Sequence, residues 1–164
     1  HLGAALAHTH ARGFVHLDVK PSNVIVVRGR PVLFDFGVAG RPGRLRRPTG
    51  TDPYMAPEQC RAETVTPATD IFGFGVTLYE ALSGQLPYPN GTRRCPFPQT
   101  HIGPLALRRH VAAVPVSLEE LVMSCLATDP VARPSLAALL PALHGFIKHG
   151  PPMWPPGFSP ATAA

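Results

Sequence analysis

The stretch from Thr69 to Ser83 constrains the fold more than any other part of this 164-residue chain. It is apolar on nearly every side and has almost no polar face apart from Asp70, Thr77 and Glu80. A helix that is hydrophobic all round has to be surrounded by other elements, and Gly84 supplies its end. The sequence therefore predicts a mainly α-helical domain built around one buried helix.

Shorter periodic segments could surround that helix. Leu2 to Thr9 has an apolar helical face and is followed by Gly13 as a C-cap. Three more helices are predicted: Leu105 to Ala113, one opening at Ser117 with Glu120 as its capping-box partner, and one from about Ser135 that Pro141 should kink or end at Leu140.

A small β-element is predicted between these helices. Two β-branched runs, Val24 to Val27 and Pro31 to Phe34, flank Arg28-Gly29-Arg30 and read as a hairpin. Phe14 to His16 is predicted as a short strand before it. From Gly37 to Pro57 the chain shows little periodicity, and a loop of that length is usually functional or disordered.

Charge and cysteine content argue against a nucleic-acid-binding, disulfide-rich or zinc-binding protein. The net charge is +5, with arginines grouped at 41–47, 93–94 and 108–109. No aromatic residues interleave with them as stacking platforms, so solvated loop charge is preferred over nucleic-acid binding. Three cysteines at wide spacing fit neither a disulfide framework nor a zinc site, which favours a reducing compartment.

The sequence predicts a single domain followed by a tail. No apolar run approaches the length of about 18 residues that a membrane helix needs. Residues 1–150 are predicted to form one domain, and residues 151–164, with five prolines and no periodicity, a disordered tail. The abrupt start at His1, inside a helical pattern, suggests a fragment.

The residues that carry chemistry lie at the two ends of the hairpin. His16-Leu17-Asp18-Val19-Lys20-Pro21-Ser22-Asn23 precedes it, and Asp35-Phe36-Gly37 follows it. Asp35 and Asn23 offer the oxygen ligands that suit Mg²⁺. Asp18 can accept a proton from a hydroxyl, and Lys20 can neutralise charge on a transferring phosphoryl group. These are the parts needed for phosphoryl transfer.

This pattern resembles the catalytic and metal-binding loops of eukaryotic-type serine/threonine protein kinases. The resemblance extends from His1 to about Ile147. The motif from Gly50 to Glu58 is similar to that of bacterial members of the family. The further matching stretches are Gly50-Thr51-Asp52-Pro53-Tyr54-Met55, Ala56-Pro57-Glu58, Asp70 with Gly73 and Gly75, Asp129-Pro130, and Arg133-Pro134-Ser135.

The resemblance implies a protein-kinase-like C-terminal lobe, helical with a small hairpin at the catalytic loop. The family's Gly-rich phosphate loop and its strand lysine are missing from this chain, so the N-terminal lobe is absent from it. We therefore expect weak ATP–Mg²⁺ binding and little turnover from the chain alone. The sequence gives no oligomeric state.

The resemblance also implies roles for individual residues. Asp18 would orient and deprotonate the acceptor hydroxyl, Lys20 would contact the γ-phosphate, and Thr51 would help to bind the acceptor segment. Asn23 and Asp35 would hold Mg²⁺, with Lys20, Asn23, Ile25 and Asp35 forming the ATP site and Ile25 under the adenine. The partner would be a protein with a Ser/Thr acceptor, in the cytoplasm by analogy.

Other family residues are expected to be structural. Glu58 and Arg133 should form a buried ion pair, and Asp70 should bind backbone amides of the catalytic loop. His16 and Phe36 should pack internally.

One position departs from the family, because Leu17 stands where the family usually has an arginine that pairs with an activation-segment phosphate. This weakens the case for switching by phosphorylation. Thr49 is the candidate phosphosite if the loop arginines substitute, but plain solvated charge is the preferred interpretation.

Two alternatives to an active protein kinase remain. A truncated, inactive kinase-like module could act in protein binding, although Asp18, Lys20, Asn23 and Asp35 are all retained. A small-molecule phosphotransferase of related architecture is disfavoured by Ala56-Pro57-Glu58 and the loop before it.

Overall fold

Within residues 1–149, which the computed structural model describes, the chain forms five α-helices and two two-stranded antiparallel sheets. The predicted tail, residues 151–164, lies outside the described residues. In chain order the elements are α1 (Leu2–Ala11), β1 (Val24–Val27), β2 (Arg30–Leu33), β3 (Gly43–Arg44), α2 (Pro57–Cys60), β4 (Thr64–Val65), α3 (Pro67–Ser83), α4 (Val116–Cys125) and α5 (Leu136–His149).

Helix α3 is the buried centre that its sequence predicts. Every residue from Thr69 to Thr77 is buried. Phe72 belongs to one apolar cluster with residues of α4 and of the turn-rich segment that links α3 to α4, residues 84–115. Phe74 belongs to a second cluster with residues of α1, β2, α4 and α5. The helix therefore joins both halves of the core.

The ends of α3 follow local rules. It begins two residues before the predicted start, because Pro67 occupies the first helical position, where a missing N–H costs nothing. Gly84 closes it with φ 68°, in the left-handed conformation that glycine adopts most readily. Packing explains Gly75, since a Cβ there would lie 2.6 Å from the Cβ of Cys125 in α4.

The predicted hairpin is confirmed. Strands β1 and β2 pair antiparallel with Val24 opposite Leu33 and Val27 opposite Arg30. Arg28 and Gly29 both have positive φ, 51° and 76°, as a tight two-residue hairpin turn requires. The predicted strand over Phe14 to His16 is reduced to a single bridge between Val15 and Gly40.

Near the end of the chain one predicted helix does not form, and another forms with a different cap. Leu105 to Ala113 contains only a 3₁₀ turn, Leu107–Arg109, because the Leu105 N–H donates to Pro87 O and ties that residue to another segment. Helix α4 begins before Ser117, since Pro115 O accepts the first helical hydrogen bonds. Ser117 lies inside the first turn and cannot cap it.

Helix α5 rules out one of the two outcomes expected at Pro141. The helix does not end at Leu140 but continues past the proline to His149. Leu139 before the proline and Leu143 after it both pack in the second apolar cluster. Tertiary packing on both sides of the proline therefore outweighs the lost hydrogen bond. No helix of residues 1–149 has both the length and the apolar character needed to cross a membrane.

Candidate active site

Asp70, near the start of α3, fixes the backbone that carries the candidate catalytic residues. Its Oδ2 accepts the His16 N–H and its Oδ1 accepts the Leu17 N–H, both at 2.8 Å. The His10 ring nitrogen Nε2 lies 2.7 Å from Oδ2 as well. A buried carboxylate with three such partners holds its loop rigidly, and it supports Leu17 at a φ of 67°. The expected role of Asp70 is confirmed.

Four of the predicted site residues are in direct contact. Lys20 Nζ lies 2.8 Å from Asp18 Oδ2 and donates to Thr51 Oγ1 at 2.5 Å. Asn23 Nδ2 donates to both the backbone O and Oδ2 of Asp18, at 2.9 Å each. Lys20 therefore links the catalytic loop to the long loop that contains Thr51.

The electrostatics of this cluster set the charge of Asp18. Burial alone would raise the pKa of its carboxyl, but hydrogen bonds from Lys20, the nearby Thr51 hydroxyl and Asn23, with the charge of Lys20, hold that pKa below its usual value. Asp18 is therefore a carboxylate at neutral pH. Its Oδ1 is buried and has no hydrogen-bond partner among the described residues.

The hairpin brings Asp35 to the same end of the structure as Asn23. The Phe34 N–H donates to Asn23 O at 3.0 Å, and Asp35 is the next residue. Asp35 is exposed, has a φ of 59°, and accepts the Gly37 N–H through Oδ1 at 3.2 Å. Within the described part of the chain its side chain makes no hydrogen bond with Asp18 or Asn23. The structure thus brings Asp18, Lys20, Asn23 and Thr51 together, with Asp35 beside them through the backbone.

The chemistry of the donor atoms fits a magnesium ion. Asn23 uses its amide nitrogen on Asp18, and its Oδ1 has no hydrogen-bond partner among residues 1–149. Asp35 Oδ2 likewise has no partner among residues 1–149. One carboxylate oxygen and one amide oxygen are a typical protein share for Mg²⁺, which takes its other ligands from water and phosphates.

Ile25 and Phe36 lie on the exposed side of this region. Ile25, on β1, is 46% exposed and Phe36 is 50% exposed. Phe36 packs edge-on against the buried His16 ring, with ring centroids 4.7 Å apart. His16 also bonds Phe34 O at 3.1 Å, so the ring joins the catalytic loop to the segment around Asp35. The expected packing role of His16 is confirmed, whereas Phe36 keeps half of its surface open.

The long loop is held at its C-terminal end by the predicted ion pair. Arg133 Nη1 and Nη2 lie 2.7 Å and 2.8 Å from the two oxygens of Glu58. Both side chains are buried, and Arg133 also donates to three backbone carbonyls. This bidentate pair fixes α2 against the helical core.

Gln59 is a second anchor that the sequence reading missed. Its Nε2 donates to Leu17 O at 2.8 Å and to Thr49 O at 2.7 Å, and its Oε1 accepts the Ala56 N–H at 2.9 Å. A buried amide directly after the predicted glutamate was the available signal. Through Gln59 the catalytic loop and the long loop share one side chain.

Tyr54 and Glu80 form another link that the sequence reading did not predict. The Tyr54 hydroxyl donates to Glu80 Oε2 at 2.6 Å, which ties the loop to α3. Burial and the Glu80 carboxylate together raise the pKa of the Tyr54 phenol. Local sequence patterns cannot predict this hydrogen bond, because its two partners lie 26 positions apart in the sequence.

Leu17 is buried in a small apolar cluster with Val15 and Val65. Leu45, from the long loop, packs against this cluster. The short sheet that pairs Gly43 with Val65 supports the same contact. Where the family usually places a cation, this chain therefore has an apolar contact between the catalytic loop and the long loop.

The helical fold, the Asp18–Asn23–Lys20 cluster and the anchored loop define the class of protein. Residues 1–144 match the protein kinase domain family. Because this match covers most of the chain, the chain belongs to that family, and the predicted resemblance is confirmed.

Relatives with curated names agree. The chain is 37% identical over 162 residues to the probable serine/threonine-protein kinase PkwA of Thermomonospora curvata, covering 92% of this chain and 20% of PkwA. It is 37% identical over 140 residues to PkaA of Streptomyces coelicolor, covering 80% of this chain and 25% of PkaA. It is 34% identical over 151 residues to PknB of Mycolicibacterium smegmatis, covering 82% and 23%. The chain thus spans a quarter or less of the length of these relatives.

Proposed function

We propose that this chain supplies the catalytic side of a serine/threonine protein kinase that transfers the γ-phosphate of ATP to a protein hydroxyl. The observation that carries the proposal is the contact cluster of Asp18, Lys20, Asn23 and Thr51. Family membership and the curated serine/threonine kinase relatives support it.

Asp18 would act on the acceptor hydroxyl. Its unpartnered Oδ1 would accept the hydroxyl hydrogen bond and so aim the oxygen at the γ-phosphorus. The oxygen–phosphorus bond forms as the bond to the β-phosphate oxygen breaks, and the hydroxyl proton passes to Asp18. Because the pKa of this carboxyl is lowered, it is a weak base. Orientation and late proton acceptance are its proposed contribution.

Lys20 and Thr51 would complete the acceptor side. Lys20 lies between Asp18 and Thr51. From there its positive charge could offset the negative charge of the phosphoryl group during transfer. Thr51 holds Lys20 at a short distance and carries the loop that would border the acceptor segment. A lysine held by two oxygens keeps one position through the reaction.

Asn23 and Asp35 would hold the metal through the two oxygens that have no partner among the described residues. A Mg²⁺ ion held by these two residues would supply positive charge that offsets the charge of the ATP phosphates. Ile25, with nearly half of its side chain exposed, would form the lower surface of the adenine site. These roles extend the family resemblance to this chain residue by residue.

The alternative of an inactive binding module has less support. Loss of catalysis would relax the need for four polar side chains in mutual contact, yet all four are present and paired. We therefore propose catalysis by the whole protein and regard the chain as the part that carries its phosphoryl-transfer residues.

Replacement of Asp18 tests the proposal. In the full-length protein, Asp18→Asn should lower the rate of peptide phosphorylation by about 10²–10⁴-fold, because the orienting carboxylate is lost. The exposed Glu120→Gln variant is the charge-matched control and should keep the wild-type rate. Circular dichroism should give superimposable spectra for all three proteins. Near-normal phosphorylation by Asp18→Asn would remove Asp18 from the reaction.

A further inference from the structure

Three exposed arginines of the long loop, Arg44, Arg46 and Arg47, form what we name the basic strip. None of them lies within ion-pair distance of a carboxylate in residues 1–149, where the four ion pairs involve other residues. Residues 37–57 contain four arginines and a single carboxylate, Asp52, so the loop is strongly basic. Positive charge without an internal partner is available to an external one.

The basic strip is fixed close to the acceptor side of the site. The hydroxyl of Thr49, two residues after Arg47, donates a hydrogen bond to Arg47 O at 3.0 Å. The carbonyl oxygen of Thr49 accepts a hydrogen bond from Gln59 Nε2. Gln59 also bonds Leu17 O, next to Asp18. Thr51, which contacts Lys20, is four positions after Arg47. The backbone that carries the strip is therefore tied, through Thr49 and Gln59, to the loop that contains Asp18.

The other end of the strip is also held. Gly43 and Arg44 pair with Val65 and Thr64 in the short sheet, and the Leu45 N–H donates to Glu63 O at 3.1 Å. Leu45 is packed against the apolar cluster of Leu17. Leu45 is thus half-buried, while Arg44 and Arg46 on either side of it are exposed.

We propose that the basic strip selects protein substrates whose acceptor serine or threonine is flanked by anionic residues. This inference rests on the proposed kinase function and adds a substrate class to it. Guanidinium groups bind carboxylates and phosphates in a planar, two-pronged geometry, so acidic side chains and phosphorylated residues share the same recognition. Position beside the acceptor site, and the lack of interleaved aromatic residues in 41–47, favour a peptide over nucleic acid.

The test compares peptides with one acceptor and different flanks in the full-length protein. Peptides flanked by aspartate should show kcat/KM about tenfold above the same peptide flanked by serine or alanine, since several exposed charges act together. The preference should fall as salt rises. In the Arg46→Glu/Arg47→Glu variant it should disappear or reverse. The Arg93→Glu/Arg94→Glu variant, with the same charge change on another exposed pair, should keep it.

A binding measurement separates this inference from the proposed function. Fluorescence anisotropy of the same labelled peptides on Asp18→Asn protein should show tighter binding of the acidic peptide, again lost in Arg46→Glu/Arg47→Glu. Arg46→Gln/Arg47→Gln replaces that variant if circular dichroism shows that it is misfolded. If the wild-type protein phosphorylates all the peptides equally well, the substrate preference is wrong and the proposed kinase function stands. If the wild-type protein binds the acidic peptide more tightly but phosphorylates none of the peptides, the preference stands and the proposed kinase function is wrong.

Two further probes identify the source of the anion. A phosphoserine in place of the flanking aspartate should bind at least as well, and a stronger effect assigns phosphate as the preferred group. Tighter binding of a random DNA duplex than of the acidic peptide, at equal salt, would assign the strip to nucleic acid and overturn the inference.

Discussion

Arg133 binds both carboxylate oxygens of Glu58 across 75 positions of sequence, and both side chains are buried. This pair joins the end of the long loop to the segment that precedes α5. The loop that contains Thr51 is thereby held by the helical core. The stability of the core and the geometry of the site depend on the same contact.

Breaking this pair should destabilise the protein strongly. Arg133→Gln leaves the Glu58 carboxylate buried without its charge partner, and the free energy of unfolding should fall by about 3–5 kcal/mol. Urea denaturation followed by circular dichroism measures it. Arg94→Gln, on an exposed arginine, should change stability by less than about 0.5 kcal/mol. Equal effects of the two variants would contradict the role of the pair.

Removing Lys20 should raise the pKa of Asp18. In Lys20→Met the carboxyl loses its largest favourable hydrogen bond and a nearby positive charge, while the burial that raises the pKa remains. Carbon-13 NMR of the labelled carboxyl measures the change. Arg28→Met, on the hairpin turn, is the control and should leave this pKa where it is.

The same lowered pKa predicts a pH dependence of stability. Folding favours ionised Asp18, so its contribution is complete above the unfolded pKa, near the ordinary value of 3.8, and is lost as pH falls through the lower folded pKa. The stability difference between wild type and Asp18→Asn should therefore shift against the wild type below about pH 4. A constant difference from pH 7 to pH 2 would argue against this linkage.

Gly50 should not tolerate a side chain. Its φ is 127°, and a Cβ there would lie 2.7 Å from Leu17 O and 2.9 Å from Met55 Cγ. Gly50→Ala should lower stability by more than the roughly 1–3 kcal/mol of backbone strain alone. Gly13→Ala separates the two causes, because φ there is also positive but nothing lies within 4 Å of the added Cβ. Thermal unfolding of both variants gives the comparison.

Asp35 should determine the metal requirement. Asp35→Asn keeps the shape of the side chain but removes its charge, and the Mg²⁺ concentration that half-saturates ATP binding should rise at least about tenfold. Calorimetric titration of ATP into full-length protein at several Mg²⁺ concentrations measures the effect. Asp129→Asn, an exposed residue that caps a turn, should leave it unchanged. An unaltered Mg²⁺ dependence in Asp35→Asn would assign the metal to other oxygens.

The sequence predicted the parts of the fold that local rules control. The apolar run of α3, the β-branched strands and the turn at Arg28 and Gly29 all form as expected. The role of Asp70 in binding backbone amides is also as predicted, and Asp18 and Asn23, which come from one short stretch, are in contact. Those predictions depend on neighbours in sequence.

The errors come from contacts between distant segments. Leu105 is tied to Pro87, and Pro115 rather than Ser117 starts α4, because tertiary hydrogen bonds override local propensity. The turn-rich segment gives no periodic signal of such contacts. Gln59 was overlooked for the same reason, since its partners Leu17 and Thr49 lie in two other segments.

The apolar cluster around Leu17 determines which conditions can loosen the long loop. Contacts among Leu17, Val15, Val65 and Leu45 carry no charge, so dephosphorylation and moderate salt should leave them in place. Apolar burial weakens on cooling and in urea. Temperature and denaturant, rather than phosphorylation, should therefore determine whether Leu45 stays packed against this apolar cluster.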